Sequence, residues 1–132
     1  MDDTEIIRSR KAPQPVGLYP HARRVGNLLF LSGVGPREPG TDKIPKTFEA
    51  QCHAVFRNVR TILEDAGSSW KQLVDVTIFL TDMRKDFKTY NRLYAEYFKE
   101  NQPCRTTVEV NRLPTPISIE LKCIATFERR LR

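Results

Sequence analysis

The sequence predicts an α+β fold in which two helices pack on one face of a mixed β-sheet. Three observations predict it. Apolar residues recur at helical spacing from Phe48 to Ala66, an aromatic-rich stripe with the same period follows from Phe87 to Phe98, and strand-like runs lie before, between and after them. The 132 residues fit one compact domain. Its expected bounds are 16–132, preceded at 1–15 by a polar, flexible N-terminal arm with two prolines.

The first strand is Leu28–Leu31 (LLFL), an apolar run set between the turn signals Gly26-Asn27 and Ser32-Gly33. Residues 35–46, GPREPGTDKIPK, read as a Gly/Pro-rich loop with room for a short strand near Ile44. Thr47 then caps the first helix, whose stripe is Phe48, Cys52, Val55, Phe56, Val59, Ile62, Leu63 and Ala66. Gly67 suits the left-handed residue that ends it, and His53 falls at the edge of the stripe. From Val74 to Leu80 the chain alternates, with Val74, Val76, Ile78 and Leu80 on one side and Asp75, Thr77 and Phe79 on the other. Asp82 starts the second helix, where Phe87, Tyr90, Leu93 or Tyr94, Tyr97 and Phe98 form a face expected in the core or at a subunit contact. Two further strands are expected, at Thr106–Leu113 and Ile117–Phe127. In the last, Ser118, Glu120, Lys122, Ile124 and Thr126 share one face. With Phe79, that face is too mixed for simple solvation, and burial against another subunit would account for it.

Composition narrows the function classes. Hydrophobic residues make up 39% and charged residues 29%, an ordinary globular balance. No apolar run approaches the roughly 20 residues of a membrane span, and the acidic N-terminus has no apolar core of a secretory signal. A cytoplasmic protein without membrane contact is expected. Cys52, Cys104 and Cys123 match neither a disulfide framework nor zinc spacing, and His21 and His53 are too few for a multi-histidine metal site. The net charge of +6 is dispersed over Arg8, Arg10 and Lys11, Arg23 and Arg24, Arg84 and Lys85, and Arg129, Arg130 and Arg132. This reads as a solvated basic face. Without a nucleic-acid-binding module, a nucleic-acid partner is not expected.

Two charges stand out in the closing strands. Arg105 opens one run and Glu120 interrupts the other. Each could face solvent. Alternatively, an arginine fork grips a carboxylate while a glutamate moves protons to and from water, which describes a site for a small anionic substrate.

The sequence resembles the Rid/YjgF family of reactive-intermediate deaminases. The resemblance rests on Tyr19, VGNLLFLSG (25–33), EAQ (49–51), NVRTILEDAG (58–67), Arg105, Val108-Glu109-Val110, Leu113-Pro114, Ile119-Glu120 and Ile124-Ala125. It implies a chorismate-mutase-like fold assembled as a homotrimer around a barrel of sheets, with active sites in the clefts between subunits. It also implies that Arg105 binds the substrate carboxylate and Glu120 orients or activates water. Tyr19, Ser32 and Gly33 would line the cleft, backbone near Cys104 would meet the imine nitrogen, and Asn91 would lend support. No cofactor or metal is implied, because an iminium is already electrophilic.

Departures from the family pattern point to a branch. The loop is VGPREPG (34–40), Thr107 stands where many members carry cysteine, and NQPCRTTVEV (101–110) and LPTPISIELKCIA (113–125) are most like 2-aminomuconate deaminases. A dicarboxylate substrate would use a second cation, for which Arg37 and Arg112 are the candidates. The alternatives are a general 2-iminobutanoate/2-iminopropanoate deaminase, a non-catalytic regulatory trimer and an RNA-cleaving translation inhibitor.

Overall fold

The computed structural model describes residues 4–127. Residues 1–3 and 128–132, with the basic cluster Arg129, Arg130 and Arg132, lie outside the described residues. The elements are β1 (Thr4–Ile7), β2 (Ala22–Val25), β3 (Leu28–Leu31), α1 (Phe48–Asp65), a 3-10 turn (Trp70–Gln72), β4 (Leu73–Leu80), α2 (Met83–Tyr97), β5 (Cys104–Glu109) and β6 (Ile119–Thr126). They build a six-stranded mixed sheet in the order β1-β2-β3-β6-β4-β5. Only β4 and β5 run parallel, joined through α2. The other neighbours are antiparallel.

Helix α1 begins where Thr47 Oγ1 accepts from the Ala50 N–H at 3.1 Å. It ends with Gly67 at φ 85°, where the Ser68 N–H donates to Leu63 O and the Gly67 N–H to Glu64 O. That pair of bonds is the Schellman closure, which only a residue tolerant of the left-handed region completes at low cost. Helix α2 is capped by Asp82 Oδ1, which accepts from the Lys85 N–H at 3.2 Å. Its start is tied to the end of β5, because the Met83 N–H donates to Glu109 Oε1 at 2.8 Å.

The core lies between the helices and one sheet face. Leu29, Leu31, Val76, Ile78, Leu80, Ile119, Leu121, Cys123 and Ala125 are fully buried there with Val55, Phe56, Val59 and Leu63 of α1 and Tyr90 of α2. On the opposite face Phe30, Thr77, Phe79, Glu120, Lys122 and Ile124 stay half-exposed. Both features match the expected layering.

Five expectations change. Part of the arm is a strand, since Thr4–Ile7 pairs with Ala22–Val25 and Arg24 Nε lies 3.5 Å from Glu5 Oε1. Ser9 and Ala12 beyond it are buried. Arg24 is accordingly buried rather than part of a solvated face. No strand forms at Ile44 among the described residues; the 35–46 loop instead turns on itself, with the Glu38 N–H donating to Lys43 O. Val74 does not face the core with Val76. A bulge between Leu73 and Asp75 shifts the pairing with β6, so Leu73 is buried and Val74 is 40% exposed. The fifth strand runs Cys104–Glu109 rather than Thr106–Leu113, because Leu113-Pro114 and Pro116 belong to the turn into β6.

Candidate functional site

The cleft around Glu120 forms where β3, β6 and the N-terminal segment meet. Tyr19, Ser32, Gly33, Arg37 and Glu120 line it together with Pro13–Val16 and Pro114. Val34 is held against Leu121 by bonds in both directions, 2.8 and 2.9 Å, so the chain after Gly33 runs directly beside Glu120. A Cβ at Gly33 would stand 2.6 Å from Glu120 Oε2. The glycine here makes room for the carboxylate, which a side chain would displace. The Glu120 carboxyl makes no hydrogen bond or ion pair among the described residues. Burial, with no compensating cation, pushes its carboxyl above the usual range.

The flanking groups are ordered by hydrogen bonds. The Ser32 hydroxyl donates to Pro20 O at 2.7 Å, and the Ser32 N–H donates to His21 O. Tyr19 Oη accepts from the Val16 N–H at 3.3 Å. Arg37 donates from Nη2 to Gln14 O, while its buried Nε has no partner.

Arg105, Thr107 and Cys104 lie elsewhere. Arg105 pairs with Val76, and Val76 with Cys123, so these three share the helix-covered face. Glu120 pairs with Phe79, and Phe79 with Val108, on the open face. An odd step along β4 separates the two rows, so Arg105 and Glu120 project from opposite sides of the sheet. One chain therefore does not bring the two charges together. Arg105 Nε donates to Thr107 Oγ1 at 2.9 Å, and its guanidinium lies over the aromatic stripe of α2. Cys104 is exposed on the sheet edge, whereas Cys52 and Cys123 are buried with thiols pushed up to about 12 by desolvation. Asn91 on α2 and Arg112 after β5 are both exposed.

Three positioning residues escape the sequence reading. Asn58 Nδ2 donates to Gly35 O and Arg37 O at 3.0 and 2.9 Å, fixing the cleft loop from inside α1. Gln51 donates to Pro45 O and accepts from the Ser118 N–H at 2.8 Å. His21 is buried, with Nδ1 accepting from the Ser9 N–H at 3.0 Å and Nε2 2.8 Å from Pro13 O. The acceptor role of Nδ1 makes Nε2 the protonated nitrogen, which holds Pro13 at the cleft wall. For Asn58 and Gln51 the available signal was an amide inside an otherwise apolar helical stripe, since a buried amide is kept where it has loop backbone to bind. His21 left no comparable pattern. His53 is half-buried on α1, its Nδ1 2.6 Å from Tyr97 Oη. Among the described residues no cluster of His, Cys, Asp or Glu is arranged to hold a metal, and no helix is long and apolar enough to cross a membrane.

Comparison with known proteins agrees with this architecture. The family profile described as Endoribonuclease L-PSP matches residues 9–127. A RutC family protein of Pyrococcus abyssi is 43% identical over 125 residues, 94% of this chain and 98% of the relative. Reactive Intermediate Deaminase A, chloroplastic, of Arabidopsis thaliana is 41% identical over 124 residues, 93% of this chain and 66% of the relative. Among solved structures, E. coli TdcF with bound serine superposes with TM-score 0.88 at 34% identity, covering 94% of this chain and 99% of that one. The E. coli YjgF gene product gives TM-score 0.87 at 35% identity, with 92% and 98% covered. With a profile that spans nearly the whole chain and relatives this similar, the chain belongs to the Rid/YjgF family, RutC-like.

Proposed function

We propose that this protein is a hydrolytic deaminase of enamine and imine acids, working as a homotrimer whose clefts join Arg105 of one chain to Glu120 of the next. The observation that carries the reading is the half-buried, unpaired Glu120 carboxylate, given its space by Gly33. Membership in the family supports deaminase-type chemistry. The bound serine of the TdcF structure, itself a small amino acid, supports a carboxylate ligand. The partly apolar open face, with Phe30, Phe79 and Ile124, supports burial against another copy.

In this reading the enamine acid tautomerises to an imine while Arg105 holds its carboxylate. Water then adds to the imine carbon: the C–O bond forms, Glu120 takes the water proton, and the C=N electron pair moves to nitrogen, which is protonated. Collapse of the carbinolamine breaks the C–N bond, releases ammonia and leaves a carbonyl. A glutamate whose carboxyl is raised by burial holds a proton more readily than an exposed one, which suits it to take and return that proton.

The favoured substrate is 2-aminomuconate or a related ring-cleavage dicarboxylate, with a monocarboxylate such as 2-iminobutanoate as the alternative. Of the two candidate second cations, Arg37 is better placed, because it lines the cleft that holds Glu120 and has an unpartnered Nε. Arg112 is exposed beyond β5. The test is ammonia release from both substrates by wild type, R105A, E120Q and R37A. R105A and E120Q are expected to abolish release from both, and R37A to impair the dicarboxylate selectively. Release that is unaffected by R105A would overturn the proposal.

The description of the matching profile favours one further reading, cleavage of RNA. His21 has both ring nitrogens engaged and His53 sits away on α1 with Tyr97, so no histidine pair is available for nuclease acid–base work. RNA cleavage that persists in E120Q while ammonia release is absent from wild type would favour it.

A further inference from the structure

We propose that Phe87, Tyr90 and Tyr94 form an aromatic cradle that positions the Arg105 guanidinium as a carboxylate fork. The inference rests on the reading of Arg105 as the substrate anchor and deepens it.

The three residues recur at i, i+3 and i+7, which places them on one stripe of α2. The Arg105 Cζ lies 4.6 Å from the Tyr94 ring centroid, 5.2 Å from Tyr90 and 5.7 Å from Phe87. A weakly hydrated, planar guanidinium is the cation best matched to such faces. The rings engage it without their hydroxyls. Tyr90 Oη and Tyr94 Oη are buried with no hydrogen-bond partner. On the strand side the Nε–H is committed to Thr107 Oγ1 at 2.9 Å. The two terminal nitrogens make no hydrogen bond or ion pair among the described residues, and they are the pair that grips a carboxylate bidentately. Phe87 is the outer wall of the cradle, 38% exposed.

An arginine on an edge strand would otherwise sample many rotamers and lose that freedom when it binds ligand. Held between Thr107 and the rings, it has already lost it. The Met83–Glu109 bond, which ties the start of α2 to the end of β5, keeps the rings in register with the strand that carries the arginine. Phe87, Tyr90 and Tyr94 are positioning residues, and their effect belongs to binding rather than to proton transfer.

The test is calorimetric titration of 2-oxobutanoate, a monocarboxylate product, into wild type, R105A, Y94F, Y94L and F87L, with steady-state ammonia release measured in parallel. Y94L is expected to weaken binding about tenfold and F87L about threefold, each raising KM with kcat little changed. Y94F, which keeps the ring, is expected to stay within about twofold of wild type. Phe87 is partly exposed, so F87L keeps the test alive if Y94L fails to fold. If R105A abolishes binding while folded Y94L and F87L bind like wild type, the cradle is overturned and the anchor reading stands. If R105A binds like wild type, the anchor reading is overturned, and the cradle loses its purpose with it.

Discussion

Glu120 carries a charge in a place that resists it. Desolvation raises its carboxyl pKa, so the folded chain holds that proton to higher pH than the unfolded chain does. The stability linked to the protonated form is fully present below the unfolded pKa and is lost as pH rises through the folded one. E120Q, which keeps the shape without the charge, is therefore expected to melt at or above the wild-type temperature at pH 8, with the gap closing toward pH 4. A thermal-shift series across that range checks the sign. The same raised pKa sets the activity profile: a base works once deprotonated, so the acid limb of kcat should lie above the ordinary carboxylate range. G33A would press a methyl against Glu120 Oε2. It is expected to lower kcat by about tenfold or more while leaving the fold intact, because the displaced group is the end of one side chain. Sequence marked out Arg105 and Glu120 as individual residues, since a guanidinium and a carboxylate in strand positions are costly without a use. Alternation along the last strand put Glu120 on the mixed face, but nothing local showed that Arg105 points to the other side.

Elements differed in how plainly they could be read. Helix α1 was legible from Thr47 to Gly67, because its cap, apolar period and left-handed stop are all local signals. β1 was not legible, since TEII gains its pairing from Ala22–Val25, residues distant in the chain. Nor was the bulge before Asp75, where one extra residue inverts the face that alternation assigns to Val74. The bulge separates two neighbouring positions energetically. L73A is expected to cost about 2–5 kcal/mol as a buried large-to-small change, whereas V74A should cost under about 0.5 kcal/mol. Chemical denaturation of the two variants measures the difference. Asn58 connects an element to the site. N58L strands two loop carbonyls, with an expected loss of about 1–3 kcal/mol and a rise in KM as residues 35–37 loosen.

At the scale of the whole molecule, the decisive fact is that the two charges leave the sheet on opposite sides. Strand register fixes this, through Arg105 opposite Val76 and Glu120 opposite Phe79, and register is not written in either strand alone. If the proposed clefts join neighbouring chains, R105A and E120Q damage different halves of the same cleft. Unfolded together and refolded as a mixture, the two inactive variants are expected to regain about a quarter of wild-type ammonia release, the share of interfaces in which both halves are intact. No recovery, with mixed trimers confirmed by native mass spectrometry, would place both residues in the same half.

The unequal burial of the cysteines has a practical consequence. Cys52 and Cys123 are enclosed and hold their protons tightly, while Cys104 is exposed on the face of β5 opposite Arg105, paired with Asp75. A mild alkylating reagent should therefore label the native chain at one place, which makes Cys104 a built-in handle for attaching a probe to the folded protein.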